Sequence, residues 1–123
     1  MNNSGDAVQA AVHFYKIPPD NILVVHDELD IDFGQIRIRK GGASAGHNGI
    51  KSVSQSLGYE DYGRIRIGIG PKPARTKSEV YVLQPWSNDQ ASQLPNLTRE
   101  LTAILSEYIY GNDLAHETRN FLV

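Results

Sequence analysis

At 123 residues, 40% hydrophobic and 21% charged, with a formal net charge of −2, the chain has the size and composition of one globular domain. No apolar run approaches the ~20 residues of a membrane span, and no basic-then-apolar leader opens the sequence. With no cysteine there is neither a disulfide framework nor thiolate chemistry, and the cytosol is the default compartment.

The charge is unevenly distributed. Residues 37–77 hold nine cations against two acids, whereas the rest of the chain holds three cations against twelve acids. Basic charge concentrated within a mildly acidic protein points to a phosphate-rich partner on one face; a solvated charged surface is the plainer alternative.

In chain order, Asn3 or Ser4 is placed to cap a first helix whose apolar stripe is Val8, Ala11, Val12 and Tyr15. His13 lies beside that stripe as a boundary residue, and Pro18 and Pro19 end the helix. Ile22, Leu23, Val24 and Val25 then read as a strand buried on both faces, with His26, Asp27 and Glu28 at its carboxyl end. In open α/β sheets ligands bind in the crevice beyond the carboxyl ends of the strands. Residues 27–33 read as a loop, and Gly34 permits a chain reversal. Residues 35–39 alternate strictly, burying Ile36 and Ile38 and sending Arg37 and Arg39 to the other face. A second alternating stretch, residues 64–70, repeats the arrangement with Arg64 and Arg66. Were the two strands neighbours, like charges would crowd one face unless an anion or acids such as Asp30 and Asp32 neutralised them.

Between these strands, Gly41, Gly42, Gly46 and Gly49 frame a loop that opens a short helix on Ile50, Val53 and Leu57, closed by Gly58. Bare backbone N–H groups at such a helix start attract anions. The loop carries neither a Walker lysine-serine pair nor a dinucleotide fingerprint. Residues 71–75 form a basic connection, Glu79 to Leu83 a short strand, and Ser87 with Gln90 a capping box. The box starts a long helix with Leu94, Leu97, Leu101, Ile104, Leu105 and Tyr108 on one face, kinked or split by Pro95 and ended by Gly111. A terminal helix is expected from Asp113 to Phe121.

His26, Asp27, Glu28 and His47 are ligand types for zinc or manganese, but His26 and Asp27 point to opposite sides of an extended chain and no HExxH pattern is present. No metal site is therefore expected. The same geometry makes His26 a poor partner for Asp27, which could orient a histidine supplied from elsewhere in the fold, His47 at the helix start being the only other candidate within the crevice; alone, Asp27 would read as a loop-capping acid.

Met1-Asn2-Asn3-Ser4-Gly5, HDELD at 26–30, GGASAGHNG at 41–49 and RIRIGIGPKP at 64–73, in this order and spacing, resemble bacterial-type peptidyl-tRNA hydrolase. GHNG following HDELD is the specific part of the signal. The resemblance implies an α/β domain, a mixed central sheet flanked by helices. It also implies a cytoplasmic monomer that needs no metal or other cofactor. The family cleaves the ester joining a peptide to the 3′ end of tRNA and so recycles tRNA from stalled translation. By the same resemblance, Asp27 is the acid that orients the catalytic histidine. Asn48 lines the peptide and water site with His47 at its rim, and Asn2 contacts the substrate near the ester. Arg37 and Arg39, where the family has lysines, and Arg66 are the phosphate contacts; arginine keeps the charge but changes the hydrogen-bond geometry.

The family's N-terminal part, with its first strand and catalytic histidine, has no counterpart in these residues. The expectation is therefore a single shortened domain over residues 1–123, its first strands missing, that binds the acceptor end of tRNA weakly and hydrolyses little. Exposed sheet edges leave self-association open. A non-catalytic RNA-binding homologue of the same fold is the alternative, and a phosphate-binding structural module a weaker third reading.

Overall fold

Helix α1 spans Ser4–Tyr15 in the computed structural model, which describes residues 3–44, 46–111, 114 and 116–122. Asn3 occupies the N-cap position but its side chain makes no capping bond; the Gly5 N–H instead donates to Ser52 Oγ of the next helix at 2.9 Å. One of the donors that every helix start leaves unmet is thus satisfied by packing. The inward face runs through Gly5, Val8 and Val12, whereas Ala11 and Tyr15, expected on it, are exposed. The stripe is rotated because the close approach to the second helix is made at Gly5. The helix closes before the prolines, at Lys16, whose left-handed backbone (φ 53°) lets the Ile17 N–H return to the Val12 carbonyl.

Two compact units divide the chain. The first comprises Met1–Val24 and Lys40–Arg64, the second Val25–Arg39 and Ile65–Val123. In the first, α1 packs on α2 (Asn48–Leu57) around Ile22, Val53 and Tyr62, with Val8, Val12, Ile17, Val24, Leu57 and Tyr59 against them. Gly58 terminates α2 with φ 83°, as its position in the sequence predicts.

The strands are β1 (Leu23–Asp32), β2 (Gln35–Lys40), β3 (Gly63–Gly70) and β4 (Thr118–Asn120), ordered β1-β3-β2-β4. The sheet is mixed. The Gly63 N–H meets the Ile22 carbonyl where β1 and β3 begin, and the Phe33 N–H meets the Gly70 carbonyl where they end, so this pair is parallel; β2 and β4 are antiparallel. Two sequence expectations are corrected at β1. It does not stop at Val25 but continues through His26, Asp27 and Glu28 to Asp32, because buried positions recur within the polar run at Glu28 and beyond it at Ile31. Nor is it buried on both faces. Its place at the end of the strand order leaves Leu23 and Val24 half-buried and Val25 44% exposed. The alternation in β2 is as expected, with Ile36 and Ile38 fully buried and Arg37 and Arg39 half-buried.

Two further elements differ from the sequence reading. Residues 79–83 form no strand. Ser78–Tyr81 is a single helical turn, α3, whose Tyr81 hydroxyl donates to the Ile69 carbonyl at 2.6 Å. The expected terminal helix is replaced by β4, while Asp113 lies outside the described residues. Phe121, 3% exposed, packs edge-on against Phe33, and Arg119 of β4 reaches Glu107 of the long helix α4 (Asn88–Gly111) at 2.9 Å. Tertiary burial and ion pairing outweigh the local preference of this short segment.

The start of α4 is the capping box read from the sequence. Gln90 N–H donates to Ser87 Oγ at 3.1 Å, and Ser87 N–H to Gln90 Oε1 at 3.0 Å. The helix continues through Pro95, with Leu97 and Ile104 buried. Ser87→Ala removes one of the two reciprocal bonds at an exposed helix end and is expected to lower stability by about 1 kcal/mol, readable as a shifted urea midpoint at unchanged slope.

Candidate functional site

The glycine-rich segment leads into α2 in the first unit. Gly41, Gly42 and Gly46 all have positive φ (76°, 106° and 83°), a path that side chains beyond glycine rarely follow. The Gly41 N–H bonds to the Tyr62 carbonyl, and the His47 N–H returns to the Ser44 carbonyl. His47 then caps α2: its Nδ1 accepts from the Ile50 N–H at 3.2 Å, which leaves Nε2 to carry the proton in the neutral ring. Asn48 follows as the first helical residue; it is exposed, while His47 before it is half-buried. The two are therefore adjacent at one helix start, with the His47 ring committed to the cap. The cap is a role for His47 that the sequence reading did not assign.

Asp27 stands in β1 of the second unit, half-buried, within the strand and not in the loop expected there. The neighbouring His26 donates from Nδ1 to the Asp27 backbone carbonyl at 2.8 Å. Among the described residues, no three His, Asp or Glu side chains gather as metal ligands.

Arg37 and Arg39 on β2 and Arg66 on β3 are half-buried in the same unit, and β2 and β3 are neighbours. Arg39 Nη1 donates to the Ile38 carbonyl at 2.7 Å, while Arg66 Nε is buried without a hydrogen-bond partner among the described residues. Arg64 breaks the expected pattern. It is 1% exposed, with its guanidinium 4.7 Å from the centre of the Tyr62 ring. Nη1 donates to the Ala43 carbonyl at 3.1 Å and Nη2 to the Glu60 carbonyl at 3.2 Å. Nothing in the alternation distinguishes it from Arg66, so sequence alone offered no signal for its burial. Other cations of the 37–77 stretch also have local duties. Lys40 meets Asp20 at 2.6 Å, and that hydrogen bond raises the Lys40 pKa. Lys72 ties its own loop through the Thr76 carbonyl at 2.6 Å. Asn2 lies outside the described residues.

A sequence model described as peptidyl-tRNA hydrolase matches residues 1–122. The peptidyl-tRNA hydrolase of Corynebacterium efficiens is 45% identical over 109 residues, which cover 89% of this chain and 62% of that protein. That of Rhodococcus opacus is 49% identical over 100 residues, 81% of this chain and 53% of the relative. The crystal structure of peptidyl-tRNA hydrolase from Acinetobacter baumannii superposes with a TM-score of 0.82 at 31% identity, over 91% of this chain and 57% of that one. The chain thus spans 53–62% of the length of these relatives. Since the acid-bearing strand, the glycine-rich loop and the arginine-bearing strands all fall inside the matched span, the chain belongs to the peptidyl-tRNA hydrolase family.

Proposed function

We propose that the chain serves the hydrolysis of the ester between peptide and tRNA, in the cytoplasm. In this reading it carries the acid that orients the base, the asparagine that lines the peptide site and the arginines that meet the tRNA backbone. The observation that carries the proposal is the family match over residues 1–122, with Asp27 in the HDELD strand and Asn48 at the start of α2. In the reaction a neutral histidine takes a proton from water as the water attacks the ester carbonyl, and the acid holds that histidine in the right tautomer. Amide donors such as Asn48 and Asn2 would steady the oxyanion. None of the chain's own histidines, His13, His26, His47 and His116, falls where the resemblance puts the base. The 123 residues alone are therefore proposed to bind tRNA weakly and to hydrolyse little or no peptidyl-tRNA.

The partner is tested by salt. Each phosphate neutralised by a cation contributes about 0.7–0.9 to the slope of log affinity against log salt. Arg37→Gln, Arg39→Gln and Arg66→Gln are each expected to weaken binding of an acceptor-stem RNA and to flatten that slope by roughly 1. Salt-insensitive binding, or a slope unchanged in all three variants, would remove the tRNA reading.

A further inference from the structure

Arg64 is a full cation inside the first unit, where an arginine is costly to bury unless it is richly hydrogen-bonded. Two of its hydrogen bonds run to backbone carbonyls from separate stretches, Ala43 in the glycine-rich loop and Glu60 before β3. The planar fork of a guanidinium can hold two acceptors at once in fixed geometry, whereas an ammonium offers no such fork. The Tyr62 ring lies under the same guanidinium at 4.7 Å. The Tyr62 hydroxyl is in turn 2.7 Å from Ser54 Oγ and bonds the Ile50 carbonyl at 3.5 Å, both on α2. Ile50 is the residue whose N–H is capped by His47. A continuous set of contacts therefore runs from Arg64 through Tyr62 to the helix start that bears His47 and Asn48, and directly from Arg64 to the loop before it.

We infer that Arg64 is a positioning residue. It fixes the path of the loop at residues 41–44 and so presents Asn48 in one place before any substrate arrives. Three positive-φ glycines make this loop conformationally permissive, and a permissive loop must be ordered at the expense of binding unless something else orders it. The buried clamp supplies that order in the free protein. This inference rests on the peptidyl-tRNA reading for what the loop presents, but not for the clamp itself.

The test uses Arg64→Gln and Arg64→Lys in the 123-residue chain, titrated with an RNA minihelix carrying an amide-linked N-acetyl amino acid. Amide hydrogen exchange of residues 41–49 is followed in parallel. Both variants are expected to bind about tenfold more weakly, equivalent to about 1.4 kcal/mol, with the salt slope unchanged and exchange in the loop accelerated. Arg64→Lys carries the test if Arg64→Gln fails to fold, because it keeps the charge and loses only the fork. A salt slope flattened by roughly 1 would make Arg64 a phosphate contact, and unchanged loop exchange would remove the clamp; either overturns the inference. If the unaltered chain does not bind the minihelix, the functional reading fails, and the exchange measurement alone then decides for or against the clamp.

Discussion

Joined to the histidine-bearing N-terminal segment of a relative, the chain is expected to release tRNA from peptidyl-tRNA, and Asp27→Asn is expected to cut that rate about 10²–10⁴-fold. The argument is one of protonation geometry. A histidine acts as base only through an unprotonated nitrogen aimed at the water, and a carboxylate bonded to the other ring N–H holds that state and stabilises the imidazolium as it forms. An asparagine is nearly the same size but can present its amide N–H₂ and favour the wrong tautomer. Half-buried within β1, Asp27 sits on a rigid element, so the substitution should alter chemistry while leaving the strand in place. A fall in kcat with KM little changed is the expected signature, since the proposed role of Asp27 is to act on the base and not on tRNA binding. Equal rates for the joined protein with and without the Asp27→Asn substitution would remove Asp27 from the mechanism.

The largest effect on stability is expected at Gly5. A Cβ there would lie 2.1 Å from the Ser52 carbonyl oxygen and 2.4 Å from Ser56 Oγ, both on α2. Alanine would gain about 1 kcal/mol of helix propensity at an open helical position. Here the clash is with backbone, which cannot swing aside, so α1 and α2 must part and Val8 and Val12 lose contact with the Val53 cluster. Overpacking of this kind costs about 1–3 kcal/mol and sometimes more, and Gly5→Ala is expected at the upper end, about 3 kcal/mol by urea unfolding. Gly111→Ala is the control. Nothing lies within 4 Å of its added Cβ, and it should be neutral or mildly stabilising.

What could be read from the sequence was whatever depends on near neighbours in the chain. The alternation of Ile36 and Ile38 with Arg37 and Arg39, the closure of α2 at Gly58 and the Ser87–Gln90 box need only a few residues to specify them, and each has its predicted form. What was misread depends on partners distant in sequence. The run from Ile22 to Val25 has the composition of a central strand, and only the insertion of β3 between β1 and β2 puts β1 at the end of the strand order. Thr118–Asn120 is a strand because β2 offers an edge and Arg119 finds Glu107, neither visible in residues 113–121. The candidate site divides the same way. That His47 and Asn48 share a helix start followed from the glycine spacing. That His47 caps this helix, and that Arg64 turns inward while Arg66 does not, followed from no local pattern.

The central claim, that these residues hold the RNA-facing surface and the orienting acid without the base, is tested most directly by single-turnover hydrolysis of N-acetyl-aminoacyl-tRNA over a range of concentrations of the 123-residue chain. The half-saturation point reads binding and the plateau reads chemistry. The predicted result is a saturable, salt-sensitive curve whose plateau lies at least about 10²-fold below that of a complete family member under the same conditions. A plateau close to that of the complete enzyme, or no saturation at any concentration, would contradict it.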